Sequence, residues 1–147
     1  MARVDFAFGA SDRLRTACEV VRKHYLAGRP VVVYSQDAPL LKRFDLLLWG
    51  FDATAFVPHV AAGDPAAADT PVLLAEAAPA PPPSPAGAPA AWLVNLDEQC
   101  PPTGGQFERI LEIVPQDEAQ VMAARQRWRQ YKAEGHDVHA HDISGRG

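Results

Sequence analysis

Four residues, Val31, Val32, Val33 and Tyr34, follow one another with no charged or amide side chain between them in the stretch PVVVYS at 30–35. A strand with one face in water alternates apolar with polar side chains. A continuous β-branched run offers solvent neither face. Such a strand belongs in the interior of a parallel sheet with packing on both sides, which restricts a chain of 147 residues to few architectures. Similar short runs recur: RVDFAF at 3–8, ATAFVPH at 53–59, PVLLAE at 71–76, AWLVNL at 91–96 and FERILEIVP at 107–115, the last strand expected.

Helical spacing alternates with these runs. Leu14, Cys18, Val21 and Tyr25 recur at helical intervals after the capping pair Ser11 and Asp12, and Gly28 ends that pattern. Ser35 and Asp37 precede a second helix, APLLKRFDLLLWGF, which ends near Gly50. A third, DEAQVMAARQRWRQYKAEG, opens on acids and stops at Gly135, as the helix dipole prefers. The expectation is a single α/β domain over 1–135, a mostly parallel central sheet flanked by helices. It is Rossmann-like without a phosphate-binding loop, because the first strand-to-helix turn, FAFGASDR, has one glycine and neither nucleotide-binding fingerprint.

Two segments fall outside that pattern. The loop at 77–91 has six prolines in fifteen residues and is expected as a mobile surface loop without helix or inner strand. The tail at 136–147, HDVHAHDISGRG, has little to pack and is expected to be loosely ordered.

Chemistry-bearing residues are sparse. His59 and Asp64 could form an acid–base pair on a loop, but no nucleophile motif accompanies them. His136, His139 and His141, interleaved with Asp137 and Asp142, are ligand types without an evident scaffold, so no metal and no cofactor is assigned. Cys18 and Cys100 lack metal or redox spacing and read as reduced, structural thiols of a cytoplasmic protein. No apolar run is long enough to cross a bilayer and no export signal opens the chain. The net charge of −4 argues against a broad nucleic-acid surface, so any contact with DNA is expected to be indirect.

Against that acidic background the third helix carries RQRWRQYK at 125–132. At about 100° per residue, Val121, Ala124, Trp128 and Tyr131 form one stripe that reads as core. Arg125, Arg129 and Lys132 form the adjoining flank, and Arg127 points elsewhere, to solvent. Cations near a helix C-terminus suit the dipole and are commonly just solvated. Here no acids stand at i−4 to answer them, and an aromatic ledge edged by two arginines suits a short acidic peptide with a terminal carboxylate and one apolar side chain. A second feature is aromatic: Trp49, Phe51 and Phe56 crowd around Gly50. Phe51 reads as core, and the others as interface anchors.

Taken together, FDLLLWGFDATAFVPH, PVLLAE followed by AWLVNL, and LEIVPQDEAQVMAARQRWRQYK resemble the chi subunits of bacterial DNA polymerase III holoenzyme. The likeness spans nearly the whole chain. Trp49 stands seven residues before Phe56 in F-V-P-H, and Val114-Pro115 leads to the arginine-rich motif. The resemblance implies a non-catalytic accessory of the clamp loader that grips the acidic, phenylalanine-ended tail of single-stranded DNA-binding protein (SSB). Carried over, Val114, Arg125, Trp128 and Arg129 form the tail site, with Lys132 on the same cationic flank. Trp49 and Phe56 match the surface for a second partner, the psi subunit or a helicase. Val121 departs from the pattern, standing where other members carry a basic residue. The residues alone also fit a small-molecule or nucleotide-binding enzyme, with His59 and the first turn at its site.

Overall fold

A computed structural model describes residues 2–51 and 56–146. The run at the centre of the sequence argument forms strand β2 (Val31–Tyr34), buried at all four positions. It is buried because strands flank it on both sides and apolar layers cover it above and below. β4 (Val72–Ala75) and β5 (Trp92–Asn95) pair with β2 in parallel. With β1 (Arg3–Ala10), β3 (His59–Ala61), β6 (Arg109–Pro115) and β7 (Asp137–Asp142), the sheet has the order β3-β4-β2-β5-β6-β1-β7. Every pairing is parallel. The expected α/β sheet is therefore borne out, and it is wholly parallel among the described residues.

Helices α1 (Arg13–Leu26) and α2 (Ala38–Gly50) cover one face, packing Cys18, Val21, Phe44 and Leu48 onto Val33, Val94 and Ile113. Helix α3 (Glu118–Ala133) lies on the other, with Ala124 and Tyr131 against Val4, Phe6, Ile110 and Val114. Each helix opens on an aspartate whose side chain accepts a backbone N–H: Asp12 from Arg15, Asp37 from Leu40 and Asp117 from Ala119. Each such cap stabilises its helix by about 1 kcal/mol.

The structure departs from the sequence reading in three places. The strand expected at 53–59 begins only at His59, past Pro58, whose missing N–H cannot serve a ladder; residues 52–55 lie outside the described ones. The segment at 77–91, expected to hold neither helix nor inner strand, holds neither. It carries the chain from β4 to β5 across β2, a parallel crossover that usually contains a helix. Its prolines forbid one, and it runs as an irregular strap. Pro79 is buried and its carbonyl accepts from Thr103 Oγ1, while 83–89 are exposed.

The second departure is the tail. Residues 137–142, expected to be loosely ordered, form β7 alongside β1. The local sequence is poor in apolar residues, so the pairing rests on backbone bonds and specific anchors. Asp137 N–H donates to Ala2 O (3.1 Å), Ile143 N–H to Phe8 O (2.8 Å), and Ala2 N–H to His136 Nδ1 (2.9 Å). Gly9, at φ +95°, lets the chain close: a Cβ there would lie 2.7 Å from Ser144 Cβ. Asp5, 5% exposed, receives Arg3, Arg109 and His141, the last at 2.8 Å from Oδ1. Burial alone would push this carboxyl up. The hydrogen bonds from Arg3, His141 and Arg109 outweigh it and hold the group at about 2, below its ordinary 3.8.

The third departure is Arg127. Expected in solvent, it is 3% exposed, and its Nε and Nη2 each lie 3.1 Å from Oε1 of the buried Glu112 on β6. Oε2 of Glu112 accepts from Tyr131 Oη and Asn95 Nδ2, both at 2.8 Å, and Arg127 Nη1 donates to Glu98 O at 2.9 Å. Pattern alone missed this because the partner acid lies on a different element, inside an otherwise apolar strand.

Two outcomes follow for stability. Arg127→Ala removes the guanidinium partner of a carboxyl buried in the core and should cost about 3 kcal/mol in chemical denaturation, whereas replacing both residues with apolar ones should cost less. For Asp5, the folded carboxyl titrates below the unfolded one, so its stabilisation is whole above about pH 4 and is lost as pH falls toward about 2. Asp5→Asn should then cost on the order of 1–2 kcal/mol at neutral pH, discounted for the solvent around Arg3 and His141. Its melting temperature should converge on that of the wild type in acid.

Candidate functional site

The inward turn of Arg127 sets the rotation of α3 and thereby what its outer flank presents. With Arg127, Ala124 and Tyr131 buried, Arg125 and Arg129 are exposed, and Trp128 stands half-buried at the seam. The Trp128 ring tilts on Phe6 (centroids 5.2 Å apart, planes at 53°) and lies 6.4 Å from Phe8. Between this flank and the sheet is an open hollow of about 380 Å³ lined by Phe8, Arg125, Trp128, Arg129 and Ala140. Lys132 stands at its margin, Nζ 5.8 Å from the Trp128 ring centroid.

Four of the five residues expected at this site are therefore together: Arg125, Trp128 and Arg129 line the hollow and Lys132 borders it. Val114 does not join them at the surface. It is fully buried in β6, in register with Phe8, and supports that ring from the neighbouring strand. Sequence reasoning missed Phe8 and Ala140. Alternation in β1 places Phe8 on the same face as Phe6, a weak signal that was available. Ala140 carried none, because its strand forms only by pairing with β1.

Availability distinguishes these cations from another aromatic cluster. Trp92 has Arg29 and Arg109 at 4.2 and 4.4 Å from its ring centroid, but those guanidinium groups are engaged internally. Arg29 binds Ala90 O and Glu108, and Arg109 binds Asp5. On α3, Arg125 and Arg129 have no carboxylate partner among the described residues. An ionic ligand there would not have to displace one.

A second surface lies at the opposite edge of the sheet. Trp49 and Phe56 are 50% and 62% exposed, with ring centroids 5.1 Å apart. Leu46, one turn earlier on α2, is exposed as well, so the patch is contiguous and apolar. Behind Trp49 stands His59, buried, its ring centroid 4.4 Å away. The carboxylate beside it is Asp45 and not the expected Asp64. His59 Nε2 lies 2.9 Å from Asp45 Oδ1, off the hydrogen-bond direction, and Nδ1 is 2.7 Å from Val57 O. Asp64 instead accepts from Ala66 N–H within its own turn. His59 thus props Trp49 outward, and the acid–base pair with Asp64 does not form. A cleft of about 1010 Å³ continues from Trp49 and His59 past β3 to the strap at Pro79–Pro83. Phe51, read as core, is half-buried against the α1–α2 layer.

The remaining candidates are occupied structurally. At the first turn, Arg13 donates from Nε to Ile113 O (2.9 Å) and Gly9 abuts Ser144. The histidines in and just before β7 each have a separate neighbour: Ala2 N–H for His136, Asp137 for His139 and Asp5 for His141. Among the described residues no group of three His, Cys, Asp or Glu side chains could hold a metal ion. Cys18 and Cys100 are free thiols, and burial pushes both up to about 12, which leaves them unreactive at neutral pH. No helix among the described residues is long and apolar enough to cross a membrane.

The family model described as "DNA polymerase III chi subunit, HolC" matches residues 1–139. A DNA polymerase III subunit chi from Pseudomonas aeruginosa is 31% identical over 147 residues, covering 97% of this chain and 98% of the relative. Proteins of the same name from Escherichia coli and Haemophilus influenzae are 25% and 24% identical, covering 88% and 86% of this chain and 85% of each relative.

Proposed function

The chain belongs to the family of DNA polymerase III chi subunits, replication accessory subunits, and from that premise we propose that it binds the acidic C-terminal tail of SSB in the hollow beside α3. In this reading it links coated single strands to the clamp loader or a helicase, in the cytoplasm. It acts by holding partners and not by chemistry, and it meets DNA only through them.

The observation that carries the proposal is the pairing of Trp128 and Phe8 with the unpartnered Arg125 and Arg129 around one hollow. A chain end with a terminal carboxylate and a final phenylalanine matches both halves of that lining. A guanidinium fork takes the carboxylate, the aromatic walls take the ring, and the surrounding positive charge speeds encounter. Lys132 stands where it can offset the cation missing at Val121. The site is shallow and its charges exposed, so affinity should be modest and fall with added salt.

The aromatic shelf of Trp49 and Phe56 is proposed as the seat of a second protein, psi or a helicase. Two large exposed rings, Trp49 backed by a buried histidine and Phe56 against Trp49, are costly to leave in water unless another surface covers them. The two surfaces flank opposite edges of the sheet, an arrangement that suits a bridge.

Titration of an acidic peptide ending in phenylalanine, followed by Trp fluorescence or calorimetry, should give micromolar binding at low salt. Arg125→Ala and Trp128→Ala should each weaken it about ten-fold or more, and removing the terminal phenylalanine should do the same. Absence of binding by the wild type at low salt, or unchanged affinity in both variants, would discard the site. Trp49→Ala should leave peptide affinity and melting temperature nearly unchanged while abolishing co-purification with the second partner. Loss of peptide binding in that variant would show that the two surfaces are not separate.

A further inference from the structure

Strand β7 ends the sheet, with β1 as its one strand neighbour among the described residues. The register between them is unbroken from Asp137 to Asp142. Asp137 N–H and Ile143 N–H both donate inward, to Ala2 O and Phe8 O. Backbone polarity alternates along a strand, so the odd-numbered residues face β1, while Val138, Ala140 and Asp142 turn their N–H and C=O groups outward. An open row of this kind is a template for another extended chain. Ala140 also lines the hollow. The middle of the free edge and one wall of the proposed peptide site are therefore the same residue.

We infer that the acidic chain end held in the hollow adds to β7 as a further parallel or antiparallel strand. Its backbone pairs with Val138, Ala140 and Asp142, and its last side chain turns over Ala140 toward Trp128 and Phe8. This rests on the tail-binding reading above and extends it from a pocket for one side chain to an edge for several residues. In an extended ligand, alternate side chains face the same way. Every second acid would thus lie on the side of Arg125 and Arg129, while the residues between would lie on the face that carries Asp137, His139 and His141. The cations would therefore read a pattern as well as a total charge, and the backbone bonds would supply affinity independent of side-chain identity.

The test uses the full chain, isotope-labelled, with a short acidic peptide ending in phenylalanine. On binding, the amides of Val138, Ala140 and Asp142 should gain protection from hydrogen exchange. N-methylation of the peptide at alternate positions should weaken binding about five-fold per blocked bond, and at intervening positions should do little. Ala140→Pro removes one outward N–H at an edge position that tolerates proline and should weaken binding by a similar factor. Ala140→Val, of similar bulk, keeps that N–H and should bind more tightly than the proline variant. Should Ala140→Pro fail to fold, the N-methylated peptides still decide the matter against the wild type. Peptide binding with no added protection on β7 and no N-methyl pattern would overturn strand addition and leave the tail site standing. No peptide binding at all would overturn both.

Discussion

A carboxylate buried in the middle of β6 governs how this protein is put together. Glu112 sits among Leu111 and Ile113 in a strand with no access to water, and leaving it unanswered there would cost several kcal/mol. Arg127, Tyr131 and Asn95 answer it, two of them from α3 and one from β5. Apolar contact alone would let a helix with few large hydrophobic residues rotate or slide over the sheet. A two-bond guanidinium contact does not. Because Arg127 must point inward, Arg125 and Arg129 must point along the flank, and Trp128 must lie between core and solvent. The exposed cations are placed by the buried one.

The same sheet separates two surfaces. Its order puts β3 at one end and β7 at the other, six strand spacings apart, or roughly 29 Å at the usual inter-strand distance. The aromatic shelf belongs to the β3 edge and the cationic hollow to the β7 edge. The two faces of the sheet are also unequal. One has two packed helices, and the other has α3 and a proline strap that crosses β2 where a helix would usually lie. Proline costs that strap its helix yet lowers the entropy lost on ordering, which suits a short cover that makes a turn bond from Ala88 N–H to Pro85 O but has no helix of its own.

Much of this was legible beforehand. Unbroken apolar runs at β2, β4 and β5 implied a parallel sheet, since each run by itself requires neighbours on both sides. The helix boundaries were written in Asp12, Asp37 and Asp117, because capping is a contact between residues two or three apart. Arg125, Trp128, Arg129 and Lys132 were identifiable as one flank because helical spacing is local geometry. The reading failed where a residue's partner is distant in the chain. Arg127 was assigned to solvent because Glu112 lies fifteen residues away on another element. Asp64 was matched to His59 by proximity in sequence, whereas Asp45 reaches it from α2.

By itself, then, the sequence determined the α/β class, the helix ends and the cationic row on α3, all consequences of periodicity and capping that act within one segment. Only the tertiary structure decided that a polar tail becomes a strand, because β7 has little apolar drive beyond Val138 and exists largely through backbone bonds to β1 and the contact of His141 with Asp5. Only it decided, too, that Phe8 and Ala140 complete the hollow, since a concave surface built from three separate elements has no representation along the chain until those elements pack.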